Sequence, residues 1–290
     1  MKLFLKAPAK INWFLSVTGK RDDGYHDIVS ILQCISLFDN LYFEESESLE
    51  LVSDLPIPAK DNLVYKAAEL LKQESGYQGG ARIRLEKHIP AAAGLGGGSS
   101  DAAFALMGLN RLWGLNFDSS RLARIGAEIG SDVPFFIYGP FSLIEGRGEK
   151  ISPLAPPDSA ALLLVKPDIP VSAAWAYRAL KAEKLTKKSI DIKLFCHNLS
   201  QRDYFSLKDM VFNDLEDAVI AAHSEIGGIK TLLLSHGAVI ACMSGSGSTV
   251  YGVFNSGEEA LDASGHISNN WCKVVNTLGA NNKPEIWPQI

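Results

Sequence analysis

Over residues 10–17 apolar and polar side chains alternate, with Ile11, Trp13, Leu15 and Val17 on one face and Lys10, Asn12, Phe14 and Ser16 on the other. A period of two predicts a strand. It sets Lys10 and Asn12 on one face, about 6.6 Å apart. Residues 82–86 alternate in the same way and run straight into a glycine-rich stretch. Beyond that stretch Ala102, Ala103, Leu106, Leu109 and Leu112 predict an amphipathic or buried helix. Ser99 or Ser100 is its expected cap, and Asp101 falls in its expected first turn. A second helix is predicted over 120–129, with Leu122, Ile125 and Ile129 on one side and Gly130 at its C-cap.

A Pro-rich passage around Pro153 to Pro157 then interrupts the pattern and sets the expected border between two domains, 1–155 and 156–290. Further on, 162–165 reads as a strand, 173–180 and 226–234 as helices, and 239–243 and 249–254 as paired strands. No repeat and no low-complexity tract occurs. Strands and helices mix without a regular βαβ alternation, which makes the fold class α+β.

The glycine-rich stretch, Gly94-Leu-Gly-Gly-Gly-Ser-Ser-Asp101, fits none of three familiar phosphate loops. No lysine follows Gly98, as a Walker loop requires; Ser99 stands where a dinucleotide fingerprint has its third glycine; and a helix follows, where protein kinases have a hairpin. What remains is strand, glycine loop, serines, helix. Bare amides at a helix N-terminus and adjacent hydroxyls make a site for phosphate, and a tightly packed turn is the plainer alternative.

The chain has 290 residues, 47% apolar and 21% charged, which is ordinary for a soluble globular protein. A net charge of −5 argues against nucleic-acid binding, though a nest of amides can hold a small anion within an acidic protein. Cys34, Cys196, Cys242 and Cys272 are scattered without metal-like spacing and read as reduced thiols. The apolar run near the N-terminus is broken by Asn12, and no window has the length of a membrane span. The expectation is a cytoplasmic protein with a small-molecule substrate, no nucleic-acid or membrane partner and no obligate protein partner.

Three motifs in order change the picture. Pro90-Ala91-Ala92-Ala93-Gly94-Leu95-Gly96-Gly97-Gly98-Ser99-Ser100-Asp101-Ala102 resembles the signature of the GHMP small-molecule kinases, Ala7-Pro-Ala-Lys-Ile-Asn12 their opening strand, and Ser244-Gly245-Ser246-Gly247-Ser248-Thr249 their C-terminal glycine loop. Arg21-Asp-Asp-Gly-Tyr-His26, Asp61-Asn-Leu63, Gly130-Ser-Asp-Val-Pro-Phe-Phe136 and Asn213-Asp-Leu-Glu216 are similar to one branch. That branch phosphorylates the 2-hydroxyl of 4-(cytidine 5'-diphospho)-2-C-methyl-D-erythritol, in the non-mevalonate isoprenoid pathway. The resemblance implies a two-domain fold with a ribosomal protein S5 domain 2-like N-terminal domain and a ferredoxin-like C-terminal domain. It also implies ATP as phosphoryl donor, with Mg2+ expected beside it.

Residue roles follow from the same resemblance. Asp132 is the base, although Ser131 or Asp132 could equally cap the next short helix. Lys10 assists it by keeping the carboxylate ionised, although a lone lysine near a strand end is commonly a surface side chain. Residues 90–100 hold ATP phosphates, and Asn62 and Lys87 lie near adenine; Lys87 could also be a solvated strand-end charge. Asn12, Tyr25, His26 and Tyr177 bind substrate, with His26 at the cytosine edge and Tyr177 stacked on the base or, alternatively, packed in a core. Ser244, Gly245, Ser246 and Gly247 support the reacting groups, or form a plain hairpin turn. Leu32 departs from the pattern, standing where some relatives carry a second aromatic, and Ala173 where threonine is common.

Overall fold

The computed structural model describes residues 2–180 and 190–279. Among them two sheets form. In chain order the first half comprises β1 (Lys2–Lys20), β2 (His26–Ser46), β3 (Leu49–Ser53), α1 (Leu63–Ser75), β4 (Gly80–Glu86), α2 (Gly97–Leu112), α3 (Ser119–Ile129), α4 (Val133–Tyr138), β5 (Phe141–Gly146) and β6 (Lys150–Pro153). The second comprises β7 (Ala161–Lys166), α5 (Ala173–Ala179), α6 (Ile192–Ser200), α7 (Tyr204–Leu207), α8 (Glu216–Ala222), α9 (Ser224–Ser235), β8 (Ile240–Met243), β9 (Val250–Phe254), α10 (Gly257–Ser264) and β10 (Trp271–Asn276).

The spine of the first sheet is β2. One edge pairs along its length with β1, and the other pairs with β4 at one end and β5 at the other. The β1–β2 register shifts between Pro8 and Ala9 and again between Asn12 and Phe14. Such bulges re-aim side chains beside them. The second sheet runs β10-β7-β9-β8, all antiparallel. With helices between its first and second and between its third and fourth strands, this is the ferredoxin-like arrangement expected for the second half.

Layering explains where the short alternating pattern misled. The strand predicted over 10–17 is the middle of a 19-residue strand, and both of its faces are buried. One face joins, through Leu5 and Ala7, the core of α1–α4 that includes Phe43, Phe104 and Phe136. The other packs against the second sheet, where Ile11, Trp13, Phe14, Phe195 and Tyr251 meet. Lys10, Asn12 and Ser16 are therefore buried polar residues, and the surface-lysine alternative for Lys10 does not hold. A third core joins the back of the second sheet to α5, α8, α9 and α10.

α2 is the central helix, with every residue from Ser100 to Asn110 buried. A helix enclosed on all sides reads as apolar all round rather than as one stripe. Its start differs from expectation. The N-cap is Gly96 in the left-handed region, at φ +70°, with no side-chain cap, and Asp101 lies beyond the first turn. The end of α3 at Gly130 is as expected, but that glycine is extended rather than left-handed. Each remaining predicted strand and helix is present with ends shifted by one or two residues.

Candidate active site

A cavity of about 640 Å³ opens where the glycine loop, the middle of β1, the start of α4 and α5 converge. Gly94, Gly96 and Ser99 line it, so the loop faces open space rather than packed protein. Lys10 and Asp132 line the same cavity, with Lys10 Nζ 3.9 Å from Asp132 Oδ2.

Each of these is held by its element. Lys10 projects from β1, whose backbone N–H at that residue donates to the Leu95 carbonyl, 2.9 Å. Its ammonium donates to Asn12 Oδ1 at 2.6 Å; Asn12 Nδ2 donates to Ser30 Oγ at 2.8 Å, and Ser30 Oγ donates to the Phe14 carbonyl. Burial lowers the Lys10 pKa, and the nearby Asp132 and Cys34 only partly offset that shift. Asp132 occupies the N-cap position of α4 but makes no side-chain cap bond, and its side chain is 42% exposed. The helix-cap alternative is therefore not what occupies this carboxylate, which is free to meet a ligand proton.

The two glycine loops pack directly on each other. Ser244 Oγ donates to the Gly94 carbonyl, 2.9 Å, and Thr249 N–H donates to the Ala93 carbonyl. Gly94 sits at φ +72°, and a Cβ there would meet the Ser244 carbonyl oxygen at 2.1 Å. Gly245 and Ser246 reach the cavity, and a Cβ on Gly245 would lie 3.1 Å from Lys10 Nζ. Residues 244–249 are thus a hairpin between β8 and β9 that also reaches the Lys10 ammonium. Asn213 holds this hairpin by donating to the Met243 and Gly245 carbonyls, while Asp214 accepts from Val17 N–H on β1.

At the other end of the cavity His26 and Tyr177 stack on each other, centroids 5.3 Å apart and planes at 24°. Tyr177 thus lines this cavity against His26 and at the same time packs on the core of the second half. Burial lowers the His26 pKa, with Lys20 adding to the shift, and burial raises that of the Tyr177 phenol. Tyr25 is 53% exposed at the rim with the Arg147 guanidinium over its ring. Leu32 and Ala173, the two departures, both line the cavity.

Sequence reasoning gave Ser131 no role beyond a helix cap and passed over Arg147 and Arg178, all of which also line it. Arg147 lies on the turn between β5 and β6 and Arg178 on α5, and a lone arginine in either setting carries no motif.

Two expected nucleotide contacts lie outside the lining of this cavity. Asn62 is not among the cavity's lining residues; it caps α1, its side-chain oxygen accepting from Val64 N–H at 2.9 Å. Lys87 is also absent from the lining and is not solvated: its ammonium lies between Asp39 and Asp101, 2.6 Å from Asp101 Oδ2. Burial pushes the Asp101 pKa up, and the Lys87 ammonium beside it works against that shift. For Lys87, burial works against the charge but Asp101 and Asp39 outweigh it, leaving its pKa raised. Of the remaining loop residues, Ala91, Ala92 and Gly98 are exposed, while Ala93, Leu95 and Ser100 are buried. Pro90, Gly97 and Gly247 are partly or fully covered beside them.

Comparison with known proteins places this arrangement. The family model for the GHMP kinases N terminal domain matches residues 62–140, and that for GHMP kinases C terminal matches 191–272. A protein of Thermodesulfovibrio yellowstonii named 4-diphosphocytidyl-2-C-methyl-D-erythritol kinase is 47% identical over 279 residues, 95% of this chain and 98% of that protein. The chain belongs to this family of GHMP kinases. A protein of the same name from Bacillus cytotoxicus is 45% identical over 87% of the chain and 88% of its own length. A crystal structure of 4-(cytidine 5'-diphospho)-2C-methyl-D-erythritol kinase superposes with a TM-score of 0.85 at 32% identity, covering 96% of this chain and all of that one. Homoserine kinase from Cytophaga hutchinsonii, at 18% identity and a TM-score of 0.70, shares the fold. The chain is a small-molecule kinase with the two-domain GHMP fold. Among the described residues no helix is long and apolar enough to cross a membrane.

Proposed function

We propose that this kinase transfers the terminal phosphoryl group of ATP to the 2-hydroxyl of 4-(cytidine 5'-diphospho)-2-C-methyl-D-erythritol, in the non-mevalonate route to isoprenoid precursors. The observation that carries the reading is the shared cavity. One wall is a glycine loop ending in a helix N-terminus, another is the Lys10–Asp132 couple, and the far end is an aromatic pair able to face a pyrimidine.

In this reading the first N–H groups of α2, which have no carbonyl partner within the helix, grip the phosphates. The alcohol oxygen forms a bond to the terminal phosphorus as the bond to the leaving diphosphate breaks, and the alcohol proton passes to Asp132. A carboxylate is a weak base toward an alcohol, which suffices if the proton leaves late in a loose transition state. Lys10 steadies the charge on the migrating group. Being desolvated, its charge acts at higher field than a solvated one. Asn12 orients Lys10 through their hydrogen bond. His26, neutral at physiological pH because of its lowered pKa, offers one donor and one acceptor to the cytosine edge. Tyr177 supplies a stacking face, and Arg147 and Arg178 supply positive charge for the diphosphate. Gly245 and Ser246 close the cavity beside Lys10.

Magnesium fits this donor set as an ion carried in by the nucleotide: among the described residues no group of three His, Cys, Asp or Glu could hold a metal. The Ser99 hydroxyl and the Asp132 carboxylate are oxygen donors at the cavity wall, and the ion would neutralise phosphate charge. We place the border between the two domains at 155/156, in the Pro-rich connection between β6 and β7.

The test is Asp132→Asn. It keeps the shape and removes the base, so kcat falls by about 10²–10⁴ with KM for both substrates nearly unchanged. Turnover retained in that variant points instead to a substrate phosphate as base.

A further inference from the structure

The Lys87 ammonium is engaged by two carboxylates from separate elements. Asp39 is on β2 and Asp101 is on α2; the three side chains are 0%, 3% and 10% exposed for Asp39, Asp101 and Lys87. The same Asp39 carboxylate accepts from the backbone N–H groups of His88, 2.5 Å, and Ile89, 2.8 Å. Lys87 is the first residue after β4 and Asp101 lies in the second turn of α2, so the two bracket the excursion that contains the whole glycine run. Their contact therefore closes that excursion at its base, while Asp39 pins the His88 and Ile89 amides to the sheet. Packing is tight at this point: a Cβ on Gly97 would come within 2.9 Å of Ile89 Cγ2 and 3.3 Å of Lys87 Nζ.

We propose that Lys87 is a positioning residue, whose ammonium ties Asp101 to Asp39 and so holds the 88–100 loop in its phosphate-receiving shape before any nucleotide arrives. The proposal rests on reading that loop as the triphosphate cradle, but the geometry of the clasp does not. Physically the clasp has two carboxylates and one ammonium, all withdrawn from water, so removing the ammonium leaves like charges facing each other across the loop base. Removing one carboxylate lets the loop base open while the fold keeps its other contacts. Asp101 Oδ2 holds the ammonium, and Oδ1 has no partner among the described residues. Asp101→Asn therefore alters the clasp and little else.

Two measurements on Lys87→Met, Asp101→Asn and the double variant test this. The first is amide hydrogen exchange of the full chain without ligand. The proposal expects residues 88–100 to exchange at least tenfold faster in each single variant, with β7–β10 unchanged and the double variant no faster than either. Unchanged exchange over 88–100 overturns it. The second is steady-state kinetics, expected to show KM for ATP raised at least tenfold in both single variants and KM for the alcohol within twofold of wild type. If only Lys87→Met raises KM for ATP while Asp101→Asn behaves as wild type, Lys87 touches the nucleotide directly and the proposal fails. A wild-type chain that consumes no ATP fails the functional reading instead, and the exchange experiment still decides the clasp. Asp101→Asn, nearly isosteric, guards against a Lys87→Met variant that does not fold.

Discussion

Lys10 holds a charge where almost no water reaches it, and that cost has measurable consequences. Because burial lowers its pKa, folding favours the neutral amine. The cost to stability is full below the folded pKa, where folded and unfolded chains are both protonated. It is relieved as pH rises between the folded pKa and the ordinary lysine value. Lys10→Met is therefore expected to raise Tm, by about 2–4 °C for a gain of about 1 kcal/mol, while abolishing turnover; a lowered Tm in a thermal melt would mean that the Asn12 and Asp132 contacts outweigh desolvation. The activity has the opposite sign, since only the protonated form steadies transferred phosphate. The alkaline limb of kcat is expected below the pH of a solvated lysine, and in Lys10→Arg, which stays charged, it moves up or vanishes. A limb unchanged by Lys10→Arg assigns it to another group. That Lys10 matters was legible from its motif; that it is buried was not. The alternation around it describes one strand; the second sheet, more than 140 residues later, covers its apolar side, and Gly96 and Gly245 of the two glycine loops close on Lys10.

Among the elements, the two glycine loops illustrate why sequence reading stopped where it did. The first was legible because strand, glycines and helix lie together in the chain. The second, Ser244 to Thr249, reads equally as an ordinary hairpin, and its position under Gly94 follows only from how the sheets stack. Asp39 gave no signal at all, since its partners at 87–89 and 101 are distant in sequence. Asp101, placed by pattern in the first turn of α2, instead points inward to Lys87. The loop-on-loop contact yields a prediction. Gly94→Ala forces a side chain into left-handed backbone, at about 1–3 kcal/mol, and drives Cβ into the Ser244 carbonyl. Turnover is expected to fall at least tenfold and Tm to drop, because the loops must separate. Unaltered kinetics and melting would show that their packing is not needed.

For the molecule as a whole, the architecture makes one cavity out of distant segments. β1 supplies Lys10 and Asn12, α2 the phosphate end, α4 the carboxylate and α5 Tyr177, while Asn213 and Asp214 lock β1 to the second sheet. Fold class was legible because it depends on the order of elements, the ferredoxin-like second half came only with the family resemblance, and the packing of both sheets about β1 was not legible. The shared fold with homoserine kinase shows that architecture alone leaves the acceptor open, so the substrate is the point on which the account stands. The decisive measurement is ATP consumption across a panel of alcohols under identical conditions: 4-(cytidine 5'-diphospho)-2-C-methyl-D-erythritol, methylerythritol 4-phosphate, homoserine and mevalonate. The account predicts efficient turnover of the cytidylylated alcohol alone, lost when His26→Ala is assayed at the same concentration. Preference for homoserine, mevalonate or the base-free alcohol, or full activity in His26→Ala, would contradict it.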